Sequence, residues 1–112
     1  GVGDLMQQSG FEAEIEMAEA ARLVGNEGRA RVCARRAAGH VAWNYLETHG
    51  LLIRNRSAYD YLLKLSEIEG IDPNVQRVIG RFLLKVDEAY QLPAEIDLIA
   101  DARWLADRLN NG

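Results

Sequence analysis

The sequence predicts an all-α protein, a five-helix up-and-down bundle. Apolar residues recur at i, i+3 and i+4 along most of the chain, and glycine, asparagine or proline interrupts each run. No stretch alternates with period two, as a half-buried strand would. The 112 residues are 48% apolar and 27% charged, the balance of a globular domain and not of a disordered chain.

Ser9 and Glu12 have capping-box spacing, which places a first helix from about Gly10 to Val24, with Ala13, Met17, Ala20, Ala21 and Val24 at helical spacing. Residues 1–8 are expected to be a disordered amino-terminal segment or a cloning remnant, and 9–112 a single helical domain. After Gly25-Asn26 a second helix is expected from Glu27 to Thr48, ended by Gly50 in the left-handed conformation. Its apolar face is Ala30, Cys33, Ala34, Ala37, Val41 and Tyr45, mostly small residues, so the antiparallel first helix can approach closely. Ser57 with Asp60 caps a third helix carrying Ala58, Tyr61, Leu62, Leu65 and Ile68 on one side, and Gly70 ends it.

Asp72-Pro73 opens a fourth helix with an N-cap and a proline at its first position. Val75, Val78, Ile79, Phe82, Val86, Ala89 and Tyr90 form the longest and bulkiest apolar stripe in the chain, which makes this helix the expected centre of the bundle. Pro93 is expected to open the fifth, with Leu98, Ala102, Leu105, Ala106 and Leu109 inward.

The formal net charge of −4 argues against a general attraction to nucleic acid or anionic membranes and leaves only a local basic patch. A lone cysteine, Cys33, permits no internal disulfide and no cysteine-based zinc site. With no apolar run near the ~20 residues of a membrane span and no signal-peptide pattern, the expectation is a cytoplasmic protein without membrane, metal or cofactor.

The basic patch is "GRARVCARRAAGHVAWNYL", Gly28–Leu46. Arg35 and His40 are five residues apart, about 140° around a helix, and point to different sides. Arg36 and His40, at i and i+4, share a stripe with Arg29, Asn44 and Glu47. That stripe is a candidate phosphate or RNA face with Arg36 and His40 as catalytic candidates, although a merely solvated face is the favoured reading. Arg54 and Arg56, before the third helix, are further phosphate-binding candidates because helix starts expose backbone N–H groups. Arg54 and Tyr59 also match an arginine–base spacing, but tyrosine, with a pKa near ~10, is a poor base. Val32 and Trp43 lie off the alanine face of the second helix and Trp104 off the inner stripe of the last, so all three are candidates for a dimer interface. The glutamates Glu12, Glu14, Glu16 and Glu19 are expected on the solvent side of the first helix.

The alanine-rich hairpin "AEIEMAEAARLVGNEGRARVCARRAAGHVAWNYL", then a short amphipathic helix and two longer ones ending "DARWLADRL", resembles the HEPN family of small all-α domains from prokaryotes and higher eukaryotes. The resemblance spans about Phe11 to Leu109. It implies a homodimer, and in many members a metal-independent ribonuclease of toxin–antitoxin or other defence systems, with a nucleotidyltransferase-type protein as a partner; other members bind nucleotides. Active members carry an R-x(4–6)-H motif around the fourth helix. Here the fourth and fifth helices hold Arg77, Arg81, Arg103 and Arg108 but no histidine, so the motif is missing from that position.

Three functional readings follow in order. The first is a HEPN-like dimeric binding or regulatory module without catalysis; the second is a metal-independent ribonuclease using Arg36 and His40; the third is a helical protein–protein interaction module.

Overall fold

The computed structural model describes residues 2–83 and 96–111, with side chains over 10–83 and 96–109. Within them lie five helices and no strand: α1 Val2–Leu23, α2 Glu27–Thr48, α3 Ala58–Ser66, α4 Pro73–Phe82 and α5 Leu98–Asn111. None of these is long and apolar enough to cross a membrane.

Local chemistry sets most of the boundaries. The Asn26 side chain accepts from the Arg29 N–H and caps α2, and Ser57 and Asp60 form the reciprocal capping box of α3. Asp72 caps α4 with Pro73 following, as its sequence predicts. At the end of α2, Gly50 adopts φ +70 and the Leu51 N–H reaches back to the Leu46 carbonyl at 2.8 Å, which satisfies a carbonyl the last turn leaves open. The fifth helix starts at Leu98, where the Asp97 carboxylate accepts from the Ile99 and Ala100 N–H groups. The expected start at Pro93 and the stripe residues Val86, Ala89 and Tyr90 lie outside the described residues.

The structure corrects the sequence reading of α1 twice. The helix begins at Val2 instead of Gly10, so Ser9 sits within it and not at its start. Its inward face is Phe11, Ile15, Ala18 and Ala21, while Ala13, Met17, Ala20 and Val24 are exposed. Ile15 and Ala13 point roughly 200° apart, nearly opposite sides. Burying the larger Phe11 and Ile15 removes more apolar surface than burying alanines, about 1.5–3 kcal/mol for a full isoleucine side chain, and this decides which side turns in.

A third correction concerns the centre of the bundle. Among the described residues the hub is α2, which packs against α1, α3 and α5, whereas α4 lies against α3 and α5. Ala30, Cys33, Ala34, Ala37, Ala38, Gly39, Val41, Ala42 and Leu46 of α2 are all buried. Small side chains over most of its circumference let three helices approach at once. The bulk lost on α2 is made up by Leu62 and Leu65 of α3, Val75, Ile79 and Phe82 of α4, and Leu105 of α5.

Ion pairs tie the periphery together. Arg22 bridges Glu27 and Asp97, each at 2.9 Å, joining the α1–α2 turn to the start of α5. Arg81 pairs with Asp101 at 3.0 Å, Arg103 with Glu19, and Arg108 with Asp72.

Candidate functional site

The α1–α2 turn makes the two helices antiparallel, so positions earlier in α1 face positions later in α2. Gly10 therefore meets His40. A β-carbon at Gly10 would stand 2.8 Å from His40 Cε1 and 3.1 Å from Nε2, so the imidazole lies against the bare backbone of α1. Next to this, Gly39 meets α3: a β-carbon there would come within 2.5 Å of the Ala58 Cβ and 2.9 Å of its Cα. Each glycine is thus a contact point, one seating the histidine and the other seating the first turn of α3.

Between these two contacts opens a cleft of about 360 Å³, lined by Glu14 from α1, Arg36, Gly39, His40 and Trp43 from α2, and Arg56, Ala58 and Tyr61 from the connector and α3. Asn55 takes the left-handed conformation, φ 59, one residue before Arg56, and the Arg56 backbone N–H donates to the Tyr61 hydroxyl at 3.4 Å. Asparagine is among the few residues that tolerate this turn.

Charge is unevenly shared here. Among the described residues neither Arg36 nor Arg56 has a carboxylate within ion-pair distance, in contrast to Arg22, Arg81, Arg103 and Arg108. Glu14 is half-buried, and its Oε2 is enclosed without a hydrogen-bond partner. Burial pushes His40 below the ordinary histidine pKa, and the Glu14 carboxylate offsets part of that shift. The imidazole is accordingly neutral at pH 7.

The structure brings together four of the residues singled out from sequence: Arg36, His40, Arg56 and Trp43. It disperses the rest. Arg29 is exposed and contributes its backbone N–H to the cap of α2. Arg54 is exposed and outside the cleft lining, and Tyr59 likewise does not join it. Arg35 points elsewhere, its Nε donating to the Phe82 carbonyl at 2.9 Å and so satisfying the end of α4. Val32 is 45% exposed and Trp104 37%, whereas Trp43 is a half-buried wall of the cleft.

Three site expectations need correcting. The Arg29–Asn44 stripe is not uniformly solvated: Arg29 and Arg36 are exposed, but His40 and Asn44 are half-buried, and Asn44 Oδ1 is enclosed without a hydrogen-bond partner. At His40 the reason is the contact with α1, whose Gly10 backbone lies against the ring. Glu14 is not on the solvent side with Glu12, Glu16 and Glu19. The start of α3 is not an open anion site, because the Asp60 carboxylate already accepts from the Ser57 N–H at 3.2 Å and brings its own negative charge there.

Sequence reasoning missed Glu14, Tyr61 and the two glycine contacts. A glycine inside each of two well-formed helices, Gly10 and Gly39, was the available signal. Among the described residues no three His, Cys, Asp or Glu side chains gather as metal ligands. Comparison of the chain with family models, with curated proteins and with solved structures returns no match.

Proposed function

We propose that the chain is a HEPN-like helical bundle that works as a dimeric binding module without catalysis, and that its ligand is a small nucleotide-like anion held in the cleft between α1, α2 and α3. The observation that carries this reading is the convergence of Arg36 and Arg56, from two different elements, on a cleft walled by Trp43 and Tyr61. Two guanidiniums that pair with no carboxylate among the described residues suit phosphate, and the aromatic walls suit a planar ring. A volume of about 360 Å³ is in the range of small-molecule sites. The partly exposed Val32 and Trp104 support a second copy as a partner, since exposed large apolar side chains are what two-fold interfaces cover.

Calorimetric titration with purine and pyrimidine mononucleotides at low salt tests the ligand. Arg36→Ala and Arg56→Ala should each weaken binding by about ten-fold or more, roughly 1.4 kcal/mol. Arg77→Ala, on the exposed side of α4 outside the cleft, should leave it unchanged. Absence of nucleotide binding by the wild-type protein refutes the reading. Sedimentation at micromolar concentration tests the dimer, and a monomeric mass refutes that part.

One observation favours the second reading, a metal-independent ribonuclease. A neutral His40 in the same cleft as the Glu14 carboxylate is a candidate general base, with Arg36 one turn away. Cleavage of single-stranded RNA without metal, abolished by His40→Ala in a folded protein, would establish it in place of the binding module.

A further inference from the structure

We propose that anion capture in this cleft is coupled to uptake of a proton by His40 beside Glu14, so that the site binds its ligand more tightly as the pH falls. The inference rests on the ligand reading above and adds its regulation. It follows from how the charges are stacked. In an antiparallel hairpin whose Gly10 faces His40, Glu14 lies one turn along α1 and Arg36 one turn back along α2, at about the same level. A phosphate approaching Arg36 therefore enters beside a carboxylate already in the cleft lining. Like charges in a partly enclosed space repel strongly, and two ways exist to relieve that: the carboxylate leaves, or a proton arrives.

Leaving is disfavoured, because Glu14 Oε2 is packed out of contact with solvent. A proton has an acceptor at hand in His40, which burial keeps neutral and which the Glu14 charge draws towards protonation. Among the described residues the titratable and charged groups lining the cleft with it are Glu14 from α1, Arg36 from its own helix, and Arg56 and Tyr61 from the connector and α3. Burial holds the proton off His40 in the empty cleft. An incoming anion adds negative charge beside the imidazole, and the proton then comes from solvent onto His40. The proton on His40 offsets the charge that a singly charged ligand brings, so the cleft of Glu14, Arg36, His40 and Arg56 keeps its net charge on loading.

The probe is the dinucleotide ApA, whose phosphodiester keeps one charge across the pH range used. Its affinity for the full chain is measured by calorimetry from about pH 5.5 to about pH 8.5, the range in which histidine changes charge. At about pH 7 the titration is repeated in buffers of different ionisation heat, which counts protons directly. The expected result is binding several-fold tighter at the acid end, with net uptake of a fraction of a proton near neutrality. His40→Gln should flatten the profile at the weak, alkaline level of the wild type. Glu14→Gln, which keeps the shape and removes the charge, should strengthen alkaline binding several-fold and likewise flatten the profile; this second variant decides the matter if His40→Gln disturbs the packing on Gly10. Equal affinity at all pH values with no proton uptake overturns the coupling and leaves the binding site standing, as does a wild-type profile retained in both variants. Absence of ApA and mononucleotide binding at every pH overturns the ligand reading itself.

Discussion

Replacing Gly39 by alanine places one methyl group where α2 and α3 touch, and two effects of opposite sign compete. Alanine is the better helix former, which favours the variant by up to about 1 kcal/mol in a helix interior. Against this, the new β-carbon would lie 2.5 Å from the Ala58 Cβ and 2.9 Å from its Cα. The second of these is backbone at the first turn of α3, fixed there by the Ser57–Asp60 capping box, so no side-chain rotation can relieve the overlap. Overpacking costs about 1–3 kcal/mol, and a clash with main chain belongs at the upper end. The net expectation is a loss of about 2 kcal/mol, or a fall of about 8 °C in Tm at about 4 °C per kcal/mol for a chain of this size. Gly80 on α4 supplies the comparison, since a β-carbon there meets nothing within 4 Å. Gly80→Ala should therefore stabilise by about 0.5–1 kcal/mol through the same propensity gain with no clash. Thermal melts followed by circular dichroism read both. The double variant Gly39→Ala/Ala58→Gly should recover part of the loss, because it removes the closer of the two overlaps. A Gly39→Ala protein as stable as the wild type would refute the close α2–α3 contact and, with it, the shape assigned to the cleft floor.

Arg35→Ala should lower stability in urea by about 1–3 kcal/mol, since it leaves the Phe82 carbonyl at the end of α4 without its charged donor; an unchanged urea midpoint refutes this role. His40 has a lowered pKa in the folded chain, so between that value and about 6.5 the unfolded chain binds more protons. Stability should accordingly fall as the pH drops below about 6.5, and urea midpoints should show this arm for the wild type and not for His40→Gln. Asp97 is also shifted downward: burial raises its pKa, but the Arg22 guanidinium and the Ala100 and Ile99 N–H groups outweigh that. Its contribution is present above about pH 4 and lost as the pH falls through its folded value, so Asp97→Asn should flatten the acid arm below about pH 4. Arg22→Ala should cost about 1 kcal/mol or less at neutral pH, because both its ion pairs are substantially exposed and solvent screens them.

What was legible in the sequence was what local chemistry determines. The bounds of α2 follow from Asn26 and Gly50, those of α3 from Ser57 and Asp60, and the start of α4 from Asp72-Pro73, each a group that pairs with backbone a few residues away. The inner residues of α5, Leu98, Ala102, Leu105, Ala106 and Leu109, were read correctly because no competing stripe exists on that helix. On α1 two stripes compete. The alanines suggested one and the bulk of Phe11 and Ile15 decided for the other, a choice that depends on the partner surface as much as on periodicity. Likewise the Ser9–Glu12 pair had the spacing of a cap but sat inside a helix that continues to Val2, where neighbouring turns already serve the backbone.

The site was half legible for a related reason. Arg36, His40, Trp43 and Arg56 could each be singled out by residue type, yet nothing in a one-dimensional pattern says that they share a cleft, or that Arg29 and Arg54 do not. That depends on the register of three helices, and the register is set by two glycines. Gly10 fixes how far α1 slides along α2 by admitting the His40 ring, and Gly39 fixes where α3 crosses by admitting Ala58. Once both contacts are made, Glu14 is carried to the level of Arg36 and Tyr61 to the far wall. Gly10 seats the His40 ring against α1, and burial there lowers the histidine's affinity for its proton, so the α1–α2 contact turns an ordinary solvated stripe into a site with a shifted proton equilibrium.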